Sequence, residues 1–170
     1  AVARRFARGG YRVAMLARNA DRLAALEAEI ADSIAVPCDV CDASALERAV
    51  ARVGAPQVVV HNAVGGAFGT FEEIEAQTLS RNFEVNTMAL FHLARLTAPA
   101  MVKAGQGALI VTGNTSAQRG RPRFAGFAPT KAAQRILAES LARDLGPKGV
   151  HVAYLIIDAV IDVPRQRARM

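Results

Sequence analysis

The sequence predicts an open, doubly wound α/β fold, a parallel sheet with helices on both faces, and three observations predict it. Unbroken apolar runs such as QVVVHNA (57–63) and ALIVT (108–112) read as strands buried on both faces. Stretches with apolar residues at helical spacing separate these runs throughout, and strands alternating with helices imply a parallel sheet. The residues are 52% hydrophobic but only 5% aromatic, so the core must be Ala, Val, Leu and Ile, which suits helices packed on a sheet. No repeat or second composition interrupts residues 1–170, so a single domain is expected.

Each element follows in order. Val2, Phe6 and the arginines Arg4, Arg5 and Arg8 form the end of an amphipathic helix, stopped by Gly9-Gly10. YRVAMLA (11–17) is a short strand. Asn19 or Asp21 caps the next helix, in which Leu23, Leu26 and Ile30 recur at helical spacing. IAVP (34–37) is the second strand, and Asp42 or Ser44 caps a helix through Leu46, Val50 and Val53. The third strand is 57–63, followed by a glycine-rich loop, then two helices over 72–104 that break near Arg81–Glu84. After the turn at Gly105–Gly107 come the strand 108–112, a basic loop, a helix over 126–145 ended by Gly146-Pro147, and the strand 151–158.

Composition narrows the function classes. The net charge is +6 with a sequence pI near 10.1, which invites anionic partners. Arg119-Gly120-Arg121-Pro122-Arg123 resembles the core of a minor-groove hook, but it links a buried strand to a helix within about a dozen residues, where such hooks need extended free chain. Nucleic acid is therefore not the expected partner. No run reaches the roughly 18 apolar residues of a membrane span. Two cysteines give no disulfide framework, so a reducing, cytoplasmic compartment is expected. Cys38-Asp39-Val40-Cys41 has no second ligand pair, and no metal site is expected.

In such a sheet a ligand sits beyond the carboxyl ends of the strands, so the residues there carry the chemistry. Ala17 stands where an acidic residue would hold a ribose 2′-hydroxyl, and Arg18 and Asn19 follow. An arginine there accommodates a 2′-phosphate, which favours NADP over NAD. Asp39 and Val40 follow the second strand, where the carboxylate can accept from an adenine amino group. His61-Asn62-Ala63-Val64-Gly65-Gly66 follows the third, with small residues that let backbone approach a flat ligand. Lys131 stands one helical turn beyond Phe127, on the same face.

Taken in order, these places resemble the short-chain dehydrogenase/reductases, Rossmann-type enzymes that reduce carbonyls with NAD(P)H. Asp39-Val40 resembles that family's adenine-pocket pair. Asn62 and Ala63, with Val64, are similar to its Asn-Asn-Ala-Gly motif. Asn86 matches a helix asparagine that organises a proton-relay water, and Lys131 with Ala132-Ala133 matches the lysine of Tyr-x-x-x-Lys. The resemblance implies a small carbonyl or alcohol substrate, NADP held by Arg18, Asn19, Asp39, Val40, Asn62, Ala63, Val64 and Lys131, and a homodimer or homotetramer paired through the long helices.

The sequence also departs from that pattern. The family's acid, a tyrosine four residues before the lysine, is Phe127 here, and the longer enoyl-reductase spacing falls on Phe124. The two tyrosines, Tyr11 and Tyr154, fall on strands. The family serine falls on Asn114, with Thr115 and Ser116 beside it as hydroxyls. Phenylalanine keeps the shape of tyrosine and has no proton to give, so the general-acid contribution of roughly 10²–10⁴ in rate is expected to be lost or supplied otherwise. The candidate catalytic set is thus Asn86, Asn114, Ser116, Phe127 and Lys131. The glycine-rich phosphate turn would fall before Ala1 and the substrate-covering segment beyond Pro164, so the chain is expected to be incomplete at both ends.

Overall fold

A computed structural model describes residues 1–158. Five strands alternate with six α-helices: α1 Val2–Arg8, β1 Val13–Ala17, α2 Ala20–Glu29, β2 Ser33–Pro37, α3 Ala43–Val53, β3 Val58–His61, α4 Ala76–Phe83, α5 Ala89–Ala104, β4 Gly107–Asn114, α6 Ala128–Leu145 and β5 Val150–Ile157. All pairings are parallel: β1 with β2, and β3 with β4 with β5. This is the Rossmann-like α/β architecture expected, with one difference. Among the described residues the strands form a pair and a triple, not one sheet. Neither β1 nor β3 bonds to the other, so each leaves an edge. That is why Val58, Val59 and Val60, which read as buried on both faces, are only half-buried.

The helices start where the sequence supplies a cap. The Asn19 side chain accepts from the Arg22 N–H at 2.8 Å, and Asp42 accepts from Ala45 N–H at 2.9 Å, each satisfying a free donor of the first turn. Asn19 and Asp42, not Asp21 or Ser44, are thus the caps. Helix α5 ends on Gly105, whose φ of 66° closes the turn in a conformation that glycine adopts without strain. One apolar cluster unites the two sheet pieces: Leu46 and Ala49 of α3 pack with Leu93 of α5 against Leu16 of β1, Val36 of β2 and Val59 of β3. Within the three-stranded piece, Val111 of β4 packs against Leu90 of α5 and Ala138 of α6.

Two further differences shape the site. The region 72–104 does not break near Arg81–Glu84. Instead α4 runs into α5 through a π-helical turn at Glu84–Met88, which widens the helix without ending it. Strand β3 is also shorter than 57–63 and stops at His61, leaving Asn62 and Ala63 in the loop. Residues 159–170, Pro164 among them, lie outside the described residues.

Gly113 near the end of β4 lies under the ring of Tyr154 on β5, and a Cβ at this position would overlap the ring. The Tyr154 hydroxyl donates to the Lys131 carbonyl at 3.3 Å, so the ring bridges β5 and α6. Gly113→Ala is expected to lower stability by about 1–3 kcal/mol through overpacking. Adding Tyr154→Ala should remove most of that penalty. Thermal melts of the two single variants and the double variant check both statements, and additivity of the two losses would contradict them.

Candidate cofactor and active site

The carboxyl ends of the strands collect the candidate residues. Beyond β1, Arg18 and Arg22 flank an open depression of about 650 Å³ floored by Leu23 and Leu26. Asn19 borders it as well, though its side-chain oxygen is already taken by the cap. Arg22 was not among the sequence candidates. It stands in the first turn of α2 and lines the same depression as Arg18, which precedes the helix, so no periodic spacing marked the pair.

Beyond β2, Asp39 is held from two sides. Its Oδ1 accepts from the Cys41 N–H at 3.0 Å, and its Oδ2 from Arg81 of α4 at 2.6 Å. The Cys41 backbone N–H, then the Arg81 guanidinium, hold this carboxyl below the usual carboxylate range. Asp39 therefore fastens the turn to α4, and Val40 packs into the core beneath it. Cys38 and Cys41 are free thiols, and burial pushes both upward, away from the reactive thiolate.

Beyond β3, the exposed Asn62 accepts from the Thr112 hydroxyl at 2.9 Å, Ala63 is half-buried and Val64 is exposed. Gly65 reaches the π-helical turn. A Cβ on Gly65 would come within 2.8 Å of Asn82 Oδ1, so only glycine permits this approach. Asn86, fully buried in that turn, clamps Gly65 by both backbone groups: it donates to Gly65 O at 2.8 Å and accepts from Gly65 N–H at 3.1 Å. It also donates to the Thr130 hydroxyl at 2.8 Å. Thr130 in turn donates to Phe127 O at 2.8 Å, and Asn82 to Gly126 O at 2.7 Å. These bonds tie the loop after β3, the π-turn and the start of α6 into one unit.

Lys131 is 3% exposed. Its ammonium donates to the Thr112 carbonyl at 3.0 Å and to Gln134 Oε1 at 2.8 Å. Gln134 Nε2 donates to the backbone carbonyl of Asn86 at 2.6 Å. Burial pushes the lysine down to about 8. The side chain of Asn86 is thus committed to Gly65 and Thr130, and its carbonyl to Gln134. Thr130 and Gln134 escaped the sequence reading, because a lone Thr or Gln in a helix carries no mark of burial.

Phe127 precedes α6 as its N-cap residue, buried, with the Lys131 ammonium 6.0 Å from its ring centre. Phe68 lies over it at 5.3 Å and meets Phe124 edge-on at 5.1 Å. The loops carrying these rings are joined by a bridge between Gly69 and Phe124, and Arg123 pairs with Glu73 at 3.4 Å. The basic loop 119–123 is thereby folded back onto the domain. Asn114 caps its own turn by accepting from Ser116 N–H at 2.9 Å, and Thr115 donates to Asp158 at 2.9 Å. Ser116 is buried and lines a depression of about 330 Å³ with Phe124, Ala128 and Ala132; Phe127 and Lys131 lie outside its wall.

A parallel sheet that gathers small-residue loops at the carboxyl ends of its strands has the architecture of the Rossmann-like α/β class. The comparisons carry this to a family. Residues 1–166 match the family model described as short chain dehydrogenase. The chain is 30% identical over 153 residues to D-erythrulose reductase of Gallus gallus, covering 89% of this chain and 62% of that protein. It is 29% identical over 164 residues to 7alpha-hydroxysteroid dehydrogenase of Escherichia coli (strain K12), covering 92% and 64%. Among solved structures, a metagenomic short-chain oxidoreductase in complex with NADP is 26% identical and superposes with a TM-score of 0.87, covering 95% of this chain and 77% of that one. This chain belongs to the short-chain dehydrogenase family, and it spans less than two thirds of the length of these curated relatives.

His61 closes β3, is 2% exposed, and its Nε2 makes no hydrogen bond. Burial first, then the Lys131 charge, push it down to about 4. The unfolded chain takes up the proton near 6.5, so between pH 6.5 and 4 it holds more protons than the folded chain and stability falls with acidification, by up to about 3 kcal/mol. Denaturant melts from pH 7 to pH 4 should show this loss, and His61→Asn should flatten it. An equal slope in the variant would contradict the assignment.

Proposed function

We propose that this chain is the nucleotide-binding body of an NADP(H)-dependent oxidoreductase for carbonyl or alcohol substrates, whose usual proton donor is replaced. The observation that carries the reading is the seating of Lys131: a buried cation fixed on the Thr112 carbonyl at the end of β4, where the strand ends converge. In this reading Lys131 holds the nicotinamide ribose. Asn62, Ala63 and Val64 border the cofactor, Asp39 and Val40 the adenine, and Arg18, Arg22 and Asn19 the 2′-phosphate. That two-arginine depression and the NADP complex of a structural neighbour support NADP over NAD. Bound NADPH would supply the hydride. The chain's own residues would orient the ring and polarise the carbonyl oxygen, and Ser116 is the buried hydroxyl nearest in sequence to the end of β4. Phe127 is buried beside the Lys131 ammonium and has no proton to exchange.

A second reading, a dinucleotide-binding sensor or scaffold without turnover, is favoured by the same ring, since Phe68 packs against Phe127 at a tilt with ring centres 5.3 Å apart. Exposed Phe91 of α5 and Ile136 of α6 support pairing of this chain with copies of itself as a homodimer or homotetramer. The free thiols fit a cytoplasmic setting.

Turnover of a carbonyl panel with NADPH, by the full-length protein and by Phe127→Tyr, tests the reading. Measurable wild-type turnover, raised by roughly tenfold or more in the variant, is expected if the lost acid limits the rate. Turnover confined to the variant would establish the sensor reading, and absence of NADPH binding by both proteins would overturn both readings.

A further inference from the structure

We propose that Gln134 is a positioning residue: its amide ties the Lys131 ammonium to the Asn86 carbonyl and makes Lys131 a fixed cation, closed to proton exchange with the helix interior. The proposal rests on the placement of Lys131 in the site above. Gln134 has no exposed surface, and an amide is buried that completely only where both of its ends are bonded. Both are. Oε1 accepts from Lys131 at 2.8 Å and Nε2 donates to Asn86 O at 2.6 Å. The three-residue spacing brings Lys131 and Gln134 to one face of α6, and the bond to Asn86 crosses to the π-turn.

The chemistry of an amide decides what this link does. A hydroxyl or a water between an ammonium and a carbonyl accepts one proton while releasing another. A neutral amide accepts a hydrogen bond at oxygen and donates one at nitrogen, but neither atom takes up or gives up a proton near neutral pH. Of the three ammonium N–H groups, Thr112 O holds one and Gln134 holds a second, which leaves one for a ligand. Lys131 therefore serves as a charge of set position and direction. Neither the Phe127 ring beside Lys131 nor the Gln134 amide behind it can carry a proton to or from the ammonium.

Nitrogen-15 NMR of the lysine ammonium groups tests this without any cofactor. The lysines are Lys103, Lys131 and Lys148, and Lys103 is exposed and serves as reference. In the wild type the Lys131 ammonium protons should exchange with water roughly tenfold or more slowly than those of Lys103, as loss of one charge-assisted hydrogen bond would cost. Gln134→Leu keeps the volume and removes both bonds, and should bring Lys131 to within a few-fold of Lys103. Gln134→Glu keeps an acceptor but makes it one that takes up a proton, so exchange at Lys131 should be faster than in the wild type, and full wild-type protection in this variant would overturn the proposal. Wild-type exchange as fast as at Lys103, or unchanged protection in Gln134→Leu, would overturn the proposal. If Gln134→Leu fails to fold, the wild-type rate and Gln134→Glu still decide it. A protein that shows the slow exchange yet binds no NADPH would remove the cofactor reading and leave the role of Gln134 standing.

Discussion

The site depends on the clamp that Asn86 places on Gly65. Its amide bonds both backbone groups of one glycine and reaches the Thr130 hydroxyl as well. Three segments distant in sequence meet there: the loop after β3, the π-turn between α4 and α5, and the first turn of α6. Each bond joins groups with no exposure or little of it, so an unsatisfied partner would cost about 1–3 kcal/mol. Removing the Asn86 side chain would therefore loosen the position of Lys131 as well as that of the loop.

The functional consequences follow from what this unit holds still. Lys131 is pinned between the Thr112 carbonyl and Gln134, at the carboxyl end of β4. Phe127 is pinned by its backbone through Thr130, with its ring under Phe68. In the proposed reading this unit is the frame that aligns the cofactor, with the Phe127 ring where a proton donor would stand. Membership of the short-chain dehydrogenase family accounts for the frame. The aromatic packing and the buried amide belong to this chain's own sequence.

Much of the fold was legible in the sequence because its physics is local. The caps at Asn19 and Asp42, the stop at Gly105 and the apolar runs of β3 and β4 each follow from a few neighbouring residues. Lys131 was legible from its spacing to Phe127, and Arg18 from its place after β1. The π-turn was not, since widening a helix by one residue leaves no periodic mark; the sequence suggested a break there instead. The half-burial of Val58–Val60 was not legible either, because it depends on which strand edges pair. Gln134 and Thr130 stayed hidden for a related reason: a polar residue in a helix reads as solvent-facing until its partners from other segments are known.

The central claim is that the carboxyl ends of β1, β3 and β4 form one dinucleotide seat. Amide hydrogen–deuterium exchange of the full-length protein, with and without NADP⁺, tests it most directly. Added protection is expected in three segments together, around Ala17–Asn19, His61–Gly66 and Thr112–Ser116, with little change in α3. Protection absent from these segments at saturating NADP⁺, or confined to another face, would contradict it.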